Sequence, residues 1–215
     1  MSLDRRQFMK AGGLALLGAA IAACTDDKPK AVPGQTTTTE PTTTSSGASP
    51  SDVALLKTAA SLEALAVGVY QRAAGAALVK DPAALDATTL FLEHHAAHQL
   101  TLNGLLQVAE VPAVTAPNGL LDESIFKPAL ATAKTQDDTI ELLLTLEEVI
   151  AQMYVYSAGI VTKLEHRVAL MAIAATQARH RALLGFVFVK QSADDLIPTA
   201  FSKSSNPLPA DAILN

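Results

Sequence analysis

The chain has 215 residues, a net charge of −5 from 16 basic and 21 acidic side chains, and a single cysteine. The acidic balance argues against nucleic acid as a partner, and one cysteine excludes an internal disulfide framework. Hydrophobic residues make up 49% of the chain but aromatic residues only 4%, so Ala and Leu supply most of the apolar surface. Such a composition favours packed helices over a β-sandwich.

The first 23 residues have the pattern of an export signal. Arg5 and Arg6 precede an apolar run at 11–23, which is too short to cross a bilayer. The paired arginines resemble a twin-arginine signal, and residues 21–24 resemble the lipobox at which a lipoprotein signal is cut before a lipidated cysteine. This resemblance implies the twin-arginine export machinery as a partner and a lipid anchor on Cys24. The protein would then be held at the outer face of the bacterial cytoplasmic membrane. The alternative is an uncleaved signal anchor with a buried Cys24.

Residues 24–50 are rich in Thr, Ser and Pro and carry few apolar side chains. Such a segment cannot bury enough surface to offset the entropy of ordering its backbone. We therefore expect a disordered linker between Cys24 and a folded domain at 51–215.

Apolar residues at helical spacing predict four long helices in that domain. The expected ranges are 51–78, 82–108, 136–162 and 164–191. Ser51 is the candidate cap of the first helix. The inner side of the second helix is expected to carry Leu85, Leu92, Ala96, Leu102 and Leu106.

Short links make the first and second helices antiparallel neighbours, and likewise the third and fourth. The long middle link, with a short helix around 123–133, permits a crossover, so the fold is predicted to be an all-α four-helix bundle with one long crossover connection.

A repeated Glu, Tyr and His pattern marks a candidate site in this bundle. The first copy comprises Glu63, Tyr70 and His98, and the second comprises Glu147, Tyr154 and His180. In both copies Tyr follows Glu by seven residues, which is two helical turns on one face. The repeat predicts two helical hairpins that each offer a carboxylate and an imidazole to a shared centre, where a tyrosine hydroxyl could hydrogen-bond a ligand. For each tyrosine alone, the simpler interpretation is an aromatic core residue.

Several short stretches of the helical region form the pattern of a known family. They are Asp52-Val53, Leu62-Glu63, Glu93-His94 ahead of His98, Leu146-Glu147 and Ala178-Arg179-His180. With them, the region from Asp52 to Leu214 resembles the ferritin-like domain of exported bacterial proteins. The resemblance implies that two helices each give one Glu to a metal site and that the other two each give a Glu three residues before a His. The matching positions are Glu63, His95, His98, Glu147, Gln177 and His180.

His95 and Gln177 depart from the family pattern, because they replace the two carboxylates that bridge two metals there. An imidazole or a neutral amide does not supply the two anionic oxygens of a bridging carboxylate. The substitution argues against a di-iron centre of the usual kind, since two close divalent cations would be poorly neutralised. Two carboxylates and three neutral imidazoles would instead balance one divalent cation, for which iron, manganese, zinc and copper are all chemically suitable.

Three functions stay open at this point. The first is metal binding in metal handling or oxidative stress. The second is a metal-free helical scaffold or interaction module, in which Glu63 and Glu147 pair with protonated histidines and Gln177. The third is an oxidoreductase acting on peroxide or oxygen. Glu93 and His94 are expected off the inner face, at the surface or in a helix contact, and His166 is expected to be exposed.

Overall fold

A computed structural model describes residues 48–192 and 208–214. The predicted signal at 1–23, the lipidation site at Cys24 and almost all of the linker lie outside the described residues. Within the described ranges, all regular secondary structure is helical and no β-strand is present.

Four long helices form the bundle. They are α1 (Pro50–Gly75), α2 (Pro82–Val108), α3 (Gln136–Ile160) and α4 (Leu164–Leu183). The pairs α1–α2 and α3–α4 pack closely, as the short links between them require, and α1 also contacts α3 while α2 contacts α4. The predicted four-helix bundle is confirmed. A π-helical segment, Leu184–Val189, prolongs α4 and ends where Lys190 adopts a left-handed conformation with a φ of 62°.

The long link between α2 and α3 is the predicted crossover. Its helical part consists of Gly119–Leu121, a π turn at Asp122–Phe126, and Lys127–Thr132. Asn118 fixes the start of this part, because its backbone N–H donates to the Ser61 carbonyl of α1 and its side chain donates to the Ala212 carbonyl. The buried Asn118 thereby joins the crossover to both α1 and the C-terminal segment.

The cap of α1 differs from the prediction. The N-cap is Ser49, whose hydroxyl oxygen accepts a hydrogen bond from the Asp52 N–H at 3.1 Å, so the assignment of Ser51 was wrong by two residues. Pro50 can occupy the first helical position because no intrahelical N–H bond is needed there. The helix therefore begins one residue earlier than expected.

The prediction that His166 is exposed was wrong. Its side chain is buried and its Nδ1 lies 2.8 Å from Asp52 Oδ2. The Asp52 carboxylate also accepts hydrogen bonds from the Thr162 and Lys163 N–H groups in the α3–α4 turn. His166 is buried because this turn folds back onto the first turn of α1 and brings the start of α4 with it.

The inner face of α2 was only partly predicted. Leu102 and Leu106 are fully buried, but Ala96 is exposed and Leu85 is 43% exposed. In the first half of α2 the buried residues lie one position before the residues that were expected to face inward. These buried residues are Ala84, Ala87, Thr88, Phe91 and His95. This rotated stripe of buried residues carries an imidazole into the centre of the bundle.

Helix α1 supplies more of the buried apolar core than any other helix in the described part of the chain. Its length and hydropathy would allow it to cross a membrane, but 72% of its most apolar window is buried in the bundle. Leu62, Ala66 and Val69 on this helix are fully buried. Helix packing therefore accounts for the apolar character of α1.

Candidate metal centre

All six predicted site residues lie together between the four long helices. Helix α1 supplies Glu63, α2 supplies His95 and His98, α3 supplies Glu147, and α4 supplies Gln177 and His180. Five of them are 2% exposed or less, and the His98 side chain is 16% exposed. The structure thus brings the predicted set together, while its role in binding a metal stays a prediction.

His95 lies between the two glutamates. Its Nδ1 is 2.7 Å from Glu63 Oε2 and its Nε2 is 3.0 Å from Glu147 Oε1. Both partners accept hydrogen bonds, so the ring satisfies both only when each nitrogen carries a proton. The contact also favours the protonated form of His95 and the ionised forms of Glu63 and Glu147. Burial lowers the pKa of His95, but the Glu147 and Glu63 carboxylates outweigh it and raise this pKa to about 10.

The same pairing keeps both carboxyl groups ionised. Burial alone would raise the pKa of Glu147, but the charge of His95 and hydrogen bonds from His180 and His95 lower it to about 2. The pKa of Glu63 is likewise raised by burial and lowered more strongly by His95. The centre of the bundle therefore holds two carboxylates around one imidazolium.

The two tyrosines of the sequence repeat bind the glutamates crosswise. The Tyr70 hydroxyl on α1 donates to Glu147 Oε1 on α3 at 2.5 Å, and the Tyr154 hydroxyl on α3 donates to Glu63 Oε1 on α1 at 2.5 Å. Burial and these carboxylates raise the pKa of both hydroxyls well above the usual value, so the hydroxyls stay protonated donors. Each tyrosine thus orients the glutamate of the other hairpin.

Two buried oxygens of the centre have no hydrogen-bond partner in the described part of the chain. They are Glu147 Oε2 and Gln177 Oε1. The Gln177 amide nitrogen donates to Glu63 Oε1 at 3.0 Å and lies 3.5 Å from His98 Nδ1. Because buried polar atoms normally have partners, these two oxygens mark places where the centre can accept a cation or a donor.

His180 is held by one side chain of α3 and two side chains of α2. Its Nδ1 lies 3.3 Å from Glu147 Oε1, and its Nε2 lies 2.9 Å from His94 Nδ1. The Phe91 ring stacks on the His180 ring, with centroids 3.8 Å apart. His94 makes the helix contact that was one of its two expected roles, but no sequence pattern indicated that its partner is the site residue His180. Burial and the neighbouring His180 lower the pKa of His94, so His94 is neutral at pH 7.

The centre contains two overlapping groups of potential metal ligands. Glu63, His95 and His98 form one group, and His95, Glu147 and His180 form the other. In each group the ligand atoms lie within 4.8 Å of one another. Imidazole nitrogens and carboxylate oxygens together suit iron, manganese, zinc and copper. The donor set and the two unpartnered oxygens therefore fit a divalent metal ion, and the partial exposure of His98 provides access from solvent.

A family model for the ferritin-like domain matches residues 51–189. The chain belongs to the ferritin-like domain family. A search of the curated proteins and a search of the solved structures found no match. The matched range contains all six site residues and, apart from Pro50, all four long helices. The chain is therefore a ferritin-like helical bundle with Glu and His groups that could hold a metal ion.

Proposed function

We propose that this ferritin-like domain binds a divalent metal ion between its four helices and serves in metal handling or oxidative stress at the cell envelope. The observation that carries the proposal is the convergence of Glu63, Glu147, His95, His98 and His180 on one buried centre. Two carboxylates among neutral imidazoles match the charge of one divalent cation. The ion would supply Lewis-acid chemistry, and iron, manganese or copper would also supply redox chemistry.

His95 couples metal binding to protonation. In the ion-free centre it carries the proton that neutralises part of the charge of Glu63 and Glu147. A metal ion needs the lone pair of an imidazole nitrogen, so binding at His95 displaces a proton. The Tyr70 and Tyr154 hydroxyls hold the two carboxylates in place throughout, because they bind oxygens that the other hairpin presents.

A metal-free polar network is the second candidate. The imidazolium of His95 already satisfies one oxygen of each glutamate, which favours a purely structural role. Against it, one imidazolium balances only one of two buried carboxylates, and Glu147 Oε2 and Gln177 Oε1 have no partner in the described part of the chain. A network that had lost every trace of an ion site would more simply have replaced these groups by apolar residues.

We also propose that the protein is exported and lipid-anchored. Arg5, Arg6 and the single cysteine, Cys24, support this proposal from the sequence. A linker at 24–50 would keep the helical domain away from the membrane surface by a few nanometres at most.

Metal titration of the full-length protein tests the metal-binding proposal. The protein is stripped with a chelator, exposed separately to Fe²⁺ without oxygen, Mn²⁺, Zn²⁺ and Cu²⁺, desalted and analysed for its metals. We expect at least one ion per chain for at least one metal, and an affinity at least about tenfold lower in Glu147→Gln. Glu93→Gln is the matched control, because Glu93 is exposed on α2 and should leave affinity unchanged. Failure of all four metals to bind stoichiometrically would establish the metal-free alternative.

A further inference from the structure

His95 faces both groups of potential ligands with opposite edges of one ring. Its Nδ1 points to Glu63 and its Nε2 points to Glu147. The two nitrogens of an imidazole diverge, so they cannot bind the same ion. His98 adds its Nδ1 at 3.6 Å from Glu63 Oε1, and His180 adds its Nδ1 at 3.3 Å from Glu147 Oε1. Each edge of the His95 ring therefore has its own carboxylate and its own second imidazole.

We propose that His95 bridges two metal ions. Its Nδ1 binds one divalent ion together with Glu63 and His98, and its Nε2 binds a second together with Glu147 and His180. The inference rests on the proposed function and adds to it a second ion and the group that joins the two ions. Loading both positions breaks the two N–H bonds of the His95 imidazolium, forms two metal–nitrogen bonds and releases two protons to solvent.

A bridging His95 would reduce the repulsion between two divalent ions, which the family's bridging carboxylates are not present to neutralise. With metal–nitrogen bonds of about 2 Å on each side of the ring, the two ions would lie roughly 6 Å apart. Carboxylate-bridged pairs are closer, at about 3.5–4 Å, so the repulsion between the ions is weaker across His95. A doubly deprotonated ring also carries one negative charge. Together with Glu63 and Glu147 it leaves one positive charge uncompensated, so the second ion should bind more weakly than the first.

The two halves of the centre differ in their remaining ligands. On the Glu63 side, the Gln177 amide lies 3.5 Å from His98 Nδ1, and its oxygen has no partner in the described residues. Rotation of the amide would turn that oxygen toward an ion held by Glu63 and His98. On the Glu147 side, Glu147 Oε2 has no hydrogen-bond partner among the described residues, and the group of potential Glu and His ligands there has three members, His95, Glu147 and His180. We therefore expect four protein ligands on the Glu63 side and an open position on the Glu147 side.

Copper titration followed by electron paramagnetic resonance tests the bridge. The stripped full-length protein receives Cu²⁺ in steps, and the integrated spin signal and the released protons are measured at each step. We expect the signal to rise with the first equivalent and to fall with the second, because spins coupled through a bridging imidazole cancel. Two protons should be released per chain by the end of the second step.

Each of the three other outcomes would overturn the proposed bridge. No bound copper and no binding of the other metals would overturn the proposed function and the bridge together. Saturation at one equivalent would overturn the bridge alone. Two bound ions with an undiminished signal would show two independent sites and would also overturn the bridge.

Three variants distinguish the loss of the bridge from the loss of the folded structure. His95→Gln, checked for helix content by circular dichroism, should bind copper without any loss of signal at the second equivalent. His98→Ala removes a partly exposed side chain, so the bundle should tolerate it, and it should retain one uncoupled ion on the Glu147 side. Glu93→Gln should behave as the unaltered protein does. A His98→Ala variant that still showed full coupling would contradict the assigned ligands.

Discussion

His95 changes the chemistry of this bundle at the scale of a single residue. The resemblance to the ferritin-like family implies a carboxylate at this position, and the structure places an imidazole there between Glu63 and Glu147. A carboxyl group would add a third buried acidic group, which would need either a bound cation or a proton to balance its charge. The imidazolium instead pairs with both carboxylates, and a proton would have to leave the ring before a metal ion could bind it. His95 would therefore stabilise the bundle in its protonated form and serve as a ligand in its deprotonated form.

The stability of the metal-free protein should fall with rising pH because of His95. Its folded-state pKa of about 10 lies above the ordinary value of 6.5. The imidazolium therefore contributes fully below pH 6.5, and its contribution is lost as the pH rises through about 10. We expect the free energy of unfolding of chelator-treated protein to decrease over that range by roughly 2–5 kcal/mol more than in His95→Gln. Urea unfolding at a series of pH values measures the difference, and parallel curves for the two proteins would contradict the ion pair.

Removal of one crosswise hydroxyl should weaken the bundle. Tyr154→Phe removes one of the two buried donors of Glu63 Oε1 and leaves the Gln177 amide, so we expect the free energy of unfolding in urea to fall by about 1–3 kcal/mol. Tyr156→Phe is the control, because Tyr156 is only partly buried and packs at the edge of the core. An equal effect of the two substitutions would show that the hydroxyl of Tyr154 has no special role.

The residue types of the centre could be predicted from the sequence, but their pairing could not. Two helical turns separate Glu63 from Tyr70, and the same spacing separates Glu147 from Tyr154, which placed the four side chains on inner faces. The exchange of partners between hairpins depends on how α1 and α3 are rotated against each other, and that rotation is set by packing across the whole core. The contact between His94 and His180 depends on helix rotation in the same way.

At the scale of elements, the Asp52 carboxylate joins the first turn of α1 to the α3–α4 turn. Asp52 in the first turn of α1 receives hydrogen bonds from the α3–α4 turn and from His166. The helix existence and order were predictable because apolar spacing and proline breaks are local signals. The link through Asp52 was not predictable, because it connects residues more than a hundred positions apart. The shifted inner stripe of α2 has a similar origin, since alanines on both faces of that helix leave its rotation undetermined by hydropathy.

Asp52→Asn should destabilise the bundle and change its response to acid. Burial raises the pKa of Asp52, but hydrogen bonds from Thr162, Ser49, Lys163 and His166 bring it below the ordinary value of 3.8. The carboxylate therefore stabilises the fold above about pH 4, and this contribution is lost as the pH falls below that value. At pH 7 we expect a loss of about 2–4 kcal/mol in the free energy of unfolding.

Urea unfolding at pH 7 and at pH 3 provides the comparison for Asp52. The gap between the unaltered protein and Asp52→Asn should narrow at the lower pH. Asp86→Asn is the matched control, because Asp86 is exposed on α2 and should change stability little at either pH. A gap of the same size at both pH values would rule out the charge of Asp52 as the cause.

At the scale of the whole molecule, the proposed arrangement is a metal-binding bundle held near a membrane. The N-terminal residues that would export and anchor it lie outside the described residues, so this part stays a prediction from the sequence. A twin-arginine signal would carry the domain across the membrane already folded, which allows its ion to be loaded before export. The bundle and its anchor can thus be tested separately.

Lipid labelling tests the anchor. Cells that express the full chain and are fed labelled palmitate should yield a labelled, membrane-bound protein, and Cys24→Ser should abolish both the label and the membrane association. Arg5→Lys with Arg6→Lys should instead block export and leave the protein inside the cell. Labelling that survives Cys24→Ser would disprove the lipidation site, since the chain has no other cysteine.

The most direct test of the central claim is the position of the ion itself. Crystals of the metal-loaded full-length protein can be measured at the absorption edge of the bound metal, and an anomalous difference map then locates the ion. We predict a peak within coordination distance of a ring nitrogen of His95 and of the Glu63 or Glu147 carboxylate. A map with no peak between the four helices, or with peaks only at the surface, would contradict the claim that these helices form a metal centre.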